Sequence, residues 1–209
     1  ATPPPTETAP VANPENEPGF FEAEALLGET VKSAGPAQPA APRTVVLLFD
    51  NSLSMQWEKL DRSSQAMEAL LRSLHPTDRF NLLMFNTEVA PFSPAPVPAD
   101  SAHIAQALAF VRAGRLRGGT NLQAALEAAL AQTSGAQGEA YLILLGDGDA
   151  TRGTIQSGRL ASWYEGKWKQ IPAAQRPRTY VYAVGDDANL NLLRMLARND
   201  GLAEWVRST

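Results

Sequence analysis

From Arg43 onward the apolar residues of the chain follow two alternating rhythms. Residues 44–49 (TVVLLF) form an unbroken apolar run with β-branched members, the pattern of a strand buried on both faces. Over residues 58–74 the rhythm changes: Leu60, Met67, Leu70, Leu71 and Leu74 recur at helical spacing, and Pro76 stops the helix. Residues 80–85 (FNLLMF) predict a second strand. Residues 88–92 predict a short third one, close enough behind to form a hairpin and hence an antiparallel edge. Beyond the loop PFSPAPVPAD, helices are expected over about 100–112 and over 121–132, the latter with Leu122, Ala125, Leu126 and Ala129 on one face. YLILL (141–145) and TYVYAV (179–184) predict two more strands. Residues 189–198 carry Leu192, Leu193 and Leu196 as a helix face, and 204–207 read as a last edge strand. Between the YLILL and TYVYAV strands, Trp163, Tyr164 and Trp168 are expected to cover the sheet, with a partner-binding patch as the other reading. Strands alternating with helices predict an α/β fold, a mostly parallel sheet with one short antiparallel edge strand and helices on both faces.

The rhythm begins only at residue 43. Nine of the 16 prolines fall in residues 1–42, in runs such as TPPPTETAP and GPAQPAAP. Such a stretch buries too little apolar surface to offset its ordering entropy, so it reads as an acidic, Pro-rich linker or the remnant of a preceding domain. Within it GFFEAEALLG (19–28) reads as a short strand or turn that docks on something, with an amphipathic helix as the alternative. Residues 43–209 make the folded domain. The linker holds six glutamates against Lys32, a net −5, while the domain holds 17 basic and 16 acidic residues, so the formal charge of −4 belongs to the linker. A nearly neutral domain without a clustered basic face does not suit nucleic acid. No apolar run approaches 18 residues, so no membrane span is expected. The absence of Cys excludes disulfides, thiolate metal sites and cysteine nucleophiles. A chain that begins at Ala1 rather than Met reads as a processed or trimmed product.

Chemistry concentrates where strands end. In open α/β sheets ligands lie beyond the carboxyl ends of the strands, at the switch point of strand order. Asp50, Ser52 and Ser54 follow the first strand in FDNSLSM, and Asp147 follows the YLILL strand in LLGDGDA. Thr120 stands in GGTNL, at the start of a helix. Two carboxylates and three hydroxyls form a hard oxygen set. Ligand softness matches it to Mg²⁺, Mn²⁺ or Ca²⁺ rather than zinc or copper, and Mg²⁺, which keeps several waters, fits best. Asp149 either extends this set or is simply solvated. Arg115 and Arg117 either attract an acidic partner or form a plain solvated loop. His75 and His103 flank predicted helices and read as solvated or helix-end residues rather than catalytic bases.

Asp-x-Ser-x-Ser after the first strand, a Thr in a distant loop and an Asp after a central strand together resemble the metal-ion-dependent adhesion site of von Willebrand factor type A domains. Asp50, Ser52 and Ser54 match the first element, Thr120 the second and Asp147 the third. The resemblance covers residues 43–209. RTVVLLFDNSLSM, LRSLHPTDRFNLLMFNTEV and LRGGTNLQAAL further resemble the subgroup around inter-alpha-trypsin inhibitor heavy chains and their bacterial relatives, in which a β-rich domain commonly precedes the type A domain. The resemblance implies a doubly wound, Rossmann-like fold. It also implies a non-enzymatic, extracytoplasmic adhesion module whose bound ion accepts an Asp or Glu side chain from a protein partner. Two departures stand out: Leu53 where many members have Gly, and Gly146 where many have Thr.

Two other functions compete. A structural scaffold would retain the pattern with a merely stabilising metal, or none. A Mg²⁺-dependent phosphatase of the haloacid-dehalogenase type would need a second Asp where Ser52 stands, and Ser cannot act as a general acid near neutral pH. A serine hydrolase lacks its Gly-x-Ser-x-Gly elbow. The linker reading has a direct consequence: deletion of residues 1–18 is expected to leave the melting temperature nearly unchanged in a thermal unfolding scan. A fall of many degrees would show that this stretch is docked.

Overall fold

The structure, a computed structural model, describes residues 42–136, 138–198 and 201–206, together with their side chains except that of Val206. The segment GFFEAEALLG and the linker reading lie outside the described residues.

The strand that opens the domain, β1 (Thr44–Asp50), is buried along its whole length. Its pleat sends Val46 and Leu48 to one face and Val45, Leu47 and Phe49 to the other, so both faces carry apolar cargo and both must be covered. One cover is α1 (Glu58–Ser73), which buries Met67 and Leu71 at i, i+4 spacing and ends at Leu74 in extended backbone, two residues before Pro76. Next come β2 (Arg79–Phe85) and the short β3 (Val89–Pro91). The loop PFSPAPVPAD contributes a further short strand, β4 (Val97–Pro98). Both short strands pair antiparallel with β2, so the expected edge strand arrives in two pieces. Pro91 and Pro98 are tolerated there because an edge strand leaves one row of donors unused.

α2 (Ser101–Ala113) starts at Asp100, whose carboxylate accepts the His103 N–H at 2.8 Å, and α3 (Leu122–Thr133) starts at Asn121, whose side chain accepts from Ala124 N–H. β5 (Ala140–Gly146), α4 (Ser157–Gln170), β6 (Arg178–Val184), α5 (Leu190–Leu196) and β7 (Ala203–Val206) complete the order. The aromatic stretch is α4, and it covers the sheet as expected. Tyr164 is buried with its hydroxyl 2.7 Å from that of Thr179, and the Trp168 indole donates to the Pro177 carbonyl.

The sheet runs β3-β2-β1-β5-β6-β7, with β4 beside β2, and pairs β1, β2, β5, β6 and β7 in parallel. Residues of α3, α4 and α5 form the core on one face, and residues of α1 and α2 form it on the other. A doubly wound, mostly parallel sheet is what alternating strand and helix rhythms predict. At the amino ends of β1 and β2, Arg43 grips Asp78 through Nε and a terminal amine at 3.0 and 2.6 Å, while Asp78 also accepts the His75 N–H. This charge-assisted clamp fixes the end of the sheet remote from the carboxyl-end loops.

One residue resists the local rules. Trp57, just before α1, has φ 64° and ψ −132° and is the one non-Gly residue with positive φ among those described. Such backbone is close to glycine-only territory and costs a bulky residue about 1–3 kcal/mol. The ring returns little through packing, since Trp57 is 83% exposed. Trp57→Gly should therefore stabilise the domain. Relief of strain, less the extra unfolded-state entropy of Gly, leaves about 1 kcal/mol, or a melting temperature higher by roughly 2–4 °C in calorimetry.

Candidate metal centre

β1 lies in the interior of the sheet. The chain leaves it through α1 to β2 on one side, and reaches β5 on its other side after α3. The switch point therefore falls between β1 and β5, and the last residue of β1 is Asp50, while Asp147 directly follows β5. Pairing of Phe49 with Leu145 sets Asp50 beside Gly146. The approach is close: a Cβ on residue 146 would lie 2.9 Å from the Asp50 Cβ and 3.1 Å from its Oδ2. The departure at this position has a physical reason, because in this packing only Gly leaves room for the carboxylate.

Asp50 and Asp147 are each 1% exposed. The Asp50 Oδ1 accepts the Ser52 N–H at 2.9 Å, which turns the chain back over the strand end. Its Oδ2 is buried with no hydrogen-bond partner. Burial pushes the Asp50 carboxyl up to about 7; the Ser52 hydroxyl and amide oppose the shift, and the Asp147 charge adds to it. The hydroxyls of Ser52 and Ser54 stand 2.9 Å apart; the chain does not continue extended here but closes into a single 3-10 turn over Leu53–Met55, with Ser52 just before it.

The third loop is tied to this turn by backbone. Leu53 N–H donates to the Gly118 carbonyl and Arg117 N–H to the Asn51 carbonyl, both at 3.2 Å. Thr120 is buried and clasped by the loop that follows β5. Its N–H donates to the Thr151 hydroxyl at 2.8 Å, and its carbonyl accepts from the N–H groups of Thr151 and Arg152 at 3.0 Å each. Gly119 is needed for the clasp, since a Cβ there would collide with the Thr151 hydroxyl. All five residues named from the sequence thus sit on three mutually bonded loops at one edge of the sheet.

The geometry adds residues that the sequence pattern does not single out. Lys59, in the first turn of α1, places Nζ 3.1 Å from Asp147 Oδ2 and 2.6 Å from Asp187 Oδ1. Burial works against its charge, but the Asp187 and Asp147 carboxylates outweigh it and hold the ammonium pKa above the ordinary lysine value. A lone lysine in a helix gives no sequence signal of this kind. Asn51 and Asn86 are buried and linked, Nδ2 of Asn86 donating to Oδ1 of Asn51 at 3.0 Å, while Asn51 Nδ2 donates to the Arg115 carbonyl. Together they buckle the ends of β1 and β2 to the loop that carries Thr120. Asp149 is exposed, and its N–H donates to Asp147 Oδ1. His75 bonds Thr77 in the turn before β2 and His103 bonds Asp100 at the start of α2, so neither belongs to this cluster.

A divalent cation fits the donor set. Two buried carboxylates share one corner, one of them with an oxygen that nothing satisfies, and neutral hydroxyls stand next to it. Among the described residues no three His, Cys, Asp or Glu side chains gather as a metal cluster. A cation here would rest on two carboxylates plus hydroxyls, which is the hard, sparsely charged donor set of an ion that keeps waters.

Comparison with known proteins identifies the domain. The family profile described as von Willebrand factor type A domain matches residues 43–204. Inter-alpha-trypsin inhibitor heavy chain H4 of Bos taurus is 32% identical over 176 residues, 79% of this chain and 18% of that protein. Heavy chain H1 of Mesocricetus auratus is 29% identical over 175 residues, 78% of this chain and 18% of that protein. The chain thus spans less than a fifth of the length of these curated relatives. Among solved structures, a von Willebrand factor type A protein from Catenulispora acidiphila superposes with TM-score 0.68 at 20% identity, covering 80% of this chain and 39% of that one. The PilB minor pilin from Streptococcus sanguinis gives 0.62 at 13% identity, covering 83% and 59%. These two show the fold alone. Domains of this family generally mediate protein–protein interaction and adhesion. The chain belongs to the von Willebrand factor type A domain family, and within that family it is similar to the domain of inter-alpha-trypsin inhibitor heavy chains.

Proposed function

We propose that this domain is a non-enzymatic, extracytoplasmic adhesion module that binds protein partners through a divalent cation. Mg²⁺ is the first choice, with Mn²⁺ or Ca²⁺ as substitutes. One observation carries the reading: the buried, unpartnered Oδ2 of Asp50 beside a second buried carboxylate. Ser52 and Ser54 would ligate the ion directly. Thr120 would join from the second loop, and Asp50 and Asp147 would fix the ion and its waters. An ion held mostly by neutral oxygens keeps excess positive charge, so it draws an external anion, here an Asp or Glu side chain of the partner.

A second reading, a scaffold without a working ion, also has an observation behind it. Lys59 already lies against Asp147 as a tethered cation. It answers only one of the two carboxylates at contact distance and shares itself with Asp187. Metal dependence separates the two readings.

Two expectations follow. Millimolar Mg²⁺ or Mn²⁺ should raise the melting temperature of the wild type by mass action. Calorimetric titration should show Ser52→Ala weakening the ion about tenfold, the loss of one ligand at about 1.4 kcal/mol, and Asp147→Ala weakening it further because charge leaves with the oxygen. A wild type that neither gains stability nor takes up the ion removes the adhesion-site reading and leaves the scaffold.

The second expectation concerns pH. The Asp50 carboxyl titrates near 3.8 when unfolded and about 7 when folded. A raised carboxyl contributes stability that is fully present below the lower value and lost as pH climbs through the upper one. Without metal, the wild type should therefore lose stability relative to Asp50→Asn between about pH 4 and pH 7, by at most about 4 kcal/mol, and the gap should then level off. Saturating metal should narrow the gap, because the wild type is expected to hold the ion more tightly than Asp50→Asn does. Parallel melting curves for the two proteins across this range would show that Asp50 does not bear the strain assigned to it.

A further inference from the structure

Four large hydrophobic side chains stand exposed among the described residues: Leu53 at 51%, Trp57 at 83%, Ile155 at 58% and Leu202 at 61%. Single exposed apolar residues are ordinary on a protein surface. Their placement here is not scattered. Leu53 lies between Ser52 and Ser54, and Trp57 follows three residues after Ser54. Ile155 lies near the end of the loop after β5, the loop whose Thr151 and Arg152 clasp Thr120 and whose Thr154 N–H donates to Gln123 Oε1. Three of the four therefore ride on loops that carry or clasp the hydroxyls and carboxylates of the candidate centre. Leu202, just before the amino end of β7, is at the other edge of the sheet.

Trp57 separates a functional surface from a loose one. Its backbone adopts a conformation that suits Gly, and its ring is left in water. The fold would be served better by Gly at this position, so what the indole provides has to come from outside the domain. Trp is also the side chain most enriched among residues that dominate binding energy at interfaces. Charge points the same way. The loop before α3 exposes Arg115 and Arg117 with no acidic residue, and the loop after β5 exposes Arg152 against Asp149. Arg117 reaches only the exposed Glu88, at 3.9 Å, a contact that water screens.

We infer that the partner is recognised as an extended, acidic–apolar segment of another protein. Its carboxylate meets the ion, and a large aliphatic or aromatic side chain two to four residues away packs on Trp57, Leu53 or Ile155. Two to four residues of extended chain span about 7–13 Å. Arg115, Arg117 and Arg152 favour further acidic residues in the same segment. The inference rests on the proposed metal-dependent reading and adds what the partner must carry besides its acid.

The test uses the full chain with 1 mM Mn²⁺ and a displayed library of random 12-residue peptides, followed by affinities of synthetic copies of the enriched sequences. The expected sequences pair Asp or Glu with Trp, Phe, Leu or Ile at a spacing of two to four. Their affinity should fall at least tenfold with Trp57→Gly and at least threefold with Ile155→Ser. The Mn²⁺ titrations of both variants should stay as in the wild type, and the melting temperature of Trp57→Gly should not fall. Replacing the apolar residue of the peptide with Ser should produce the same loss on the wild type and little further loss on Trp57→Gly. Enriched peptides that share an acid but no apolar partner would overturn the inference and leave the metal reading intact. So would variants that bind like the wild type, a library that yields nothing on the metal-loaded protein, or a peptide-free dimer that Trp57→Gly dissolves. Failure of Mn²⁺ to bind the wild type at all would instead remove the metal reading on which the inference stands.

Discussion

Two carboxylates are buried where the strand order reverses, and the polar contacts of that sheet edge answer the cost of keeping them out of water. Asp50 and Asp147 are brought together by the parallel register of β1 and β5, which the apolar core on both faces holds in place. Water cannot solvate them, so their charge must be answered by protein, by protons or by an ion. Lys59 answers Asp147. For Asp50 the answer is partial: the Ser52 amide satisfies one oxygen, the other is left bare, and the proton affinity of the group rises toward neutrality. A divalent ion is the simplest species that would settle both charges at once. On this view the site is held in deficit by the core, and metal affinity would come from relief of that deficit.

That deficit is sustainable because the loops around it are rigid. Asn51 and Asn86 lock the ends of β1 and β2 to each other and to the chain before Thr120. The Thr120 backbone is bonded on both its donor and its acceptor side by the loop after β5. At Gly119 and Gly146 the fit is so close that a single Cβ would push against Thr151 or Asp50. The same property suits a binding module. Oxygen ligands for a small cation must sit within a few tenths of an ångström of their positions, and loops pinned by backbone bonds hold that tolerance better than free ones.

The fold was largely legible because its strands are apolar on both faces and its helices carry clear apolar stripes, as in TVVLLF and in the run from Leu60 to Leu74. What escaped was weak in those terms. β4 is two residues in a proline-rich loop, with no periodicity to detect. Five oxygen-bearing residues of the candidate centre were readable because strand ends and helix starts fix where they emerge. Lys59, Asn51 and Asn86 were not, since each acts through a partner distant in sequence, such as Asp147 at 88 positions from Lys59. Leu53 read only as a departure from the family's Gly, whereas the structure gives it a half-exposed side chain between two serines.

Those departures from the family pattern have opposite physical characters. Gly146 makes room: its missing Cβ lets Asp50 approach the end of β5, so it belongs to the charge problem inside. Leu53 adds bulk that the interior does not use, as does the nearby Trp57, which is no part of the family pattern, so both belong to the surface outside. A site that held a cation for stability alone would need the first kind of change and would gain nothing from the second. Exposed apolar bulk at this edge is unfavourable for the free domain on two counts, since the side chains stay wet and one of them strains its backbone. A complex that covered these side chains would recover both costs. The free domain is thus less stable than its own fold permits, in the loops where a partner would close over it, which is the compromise expected of a surface shaped by binding.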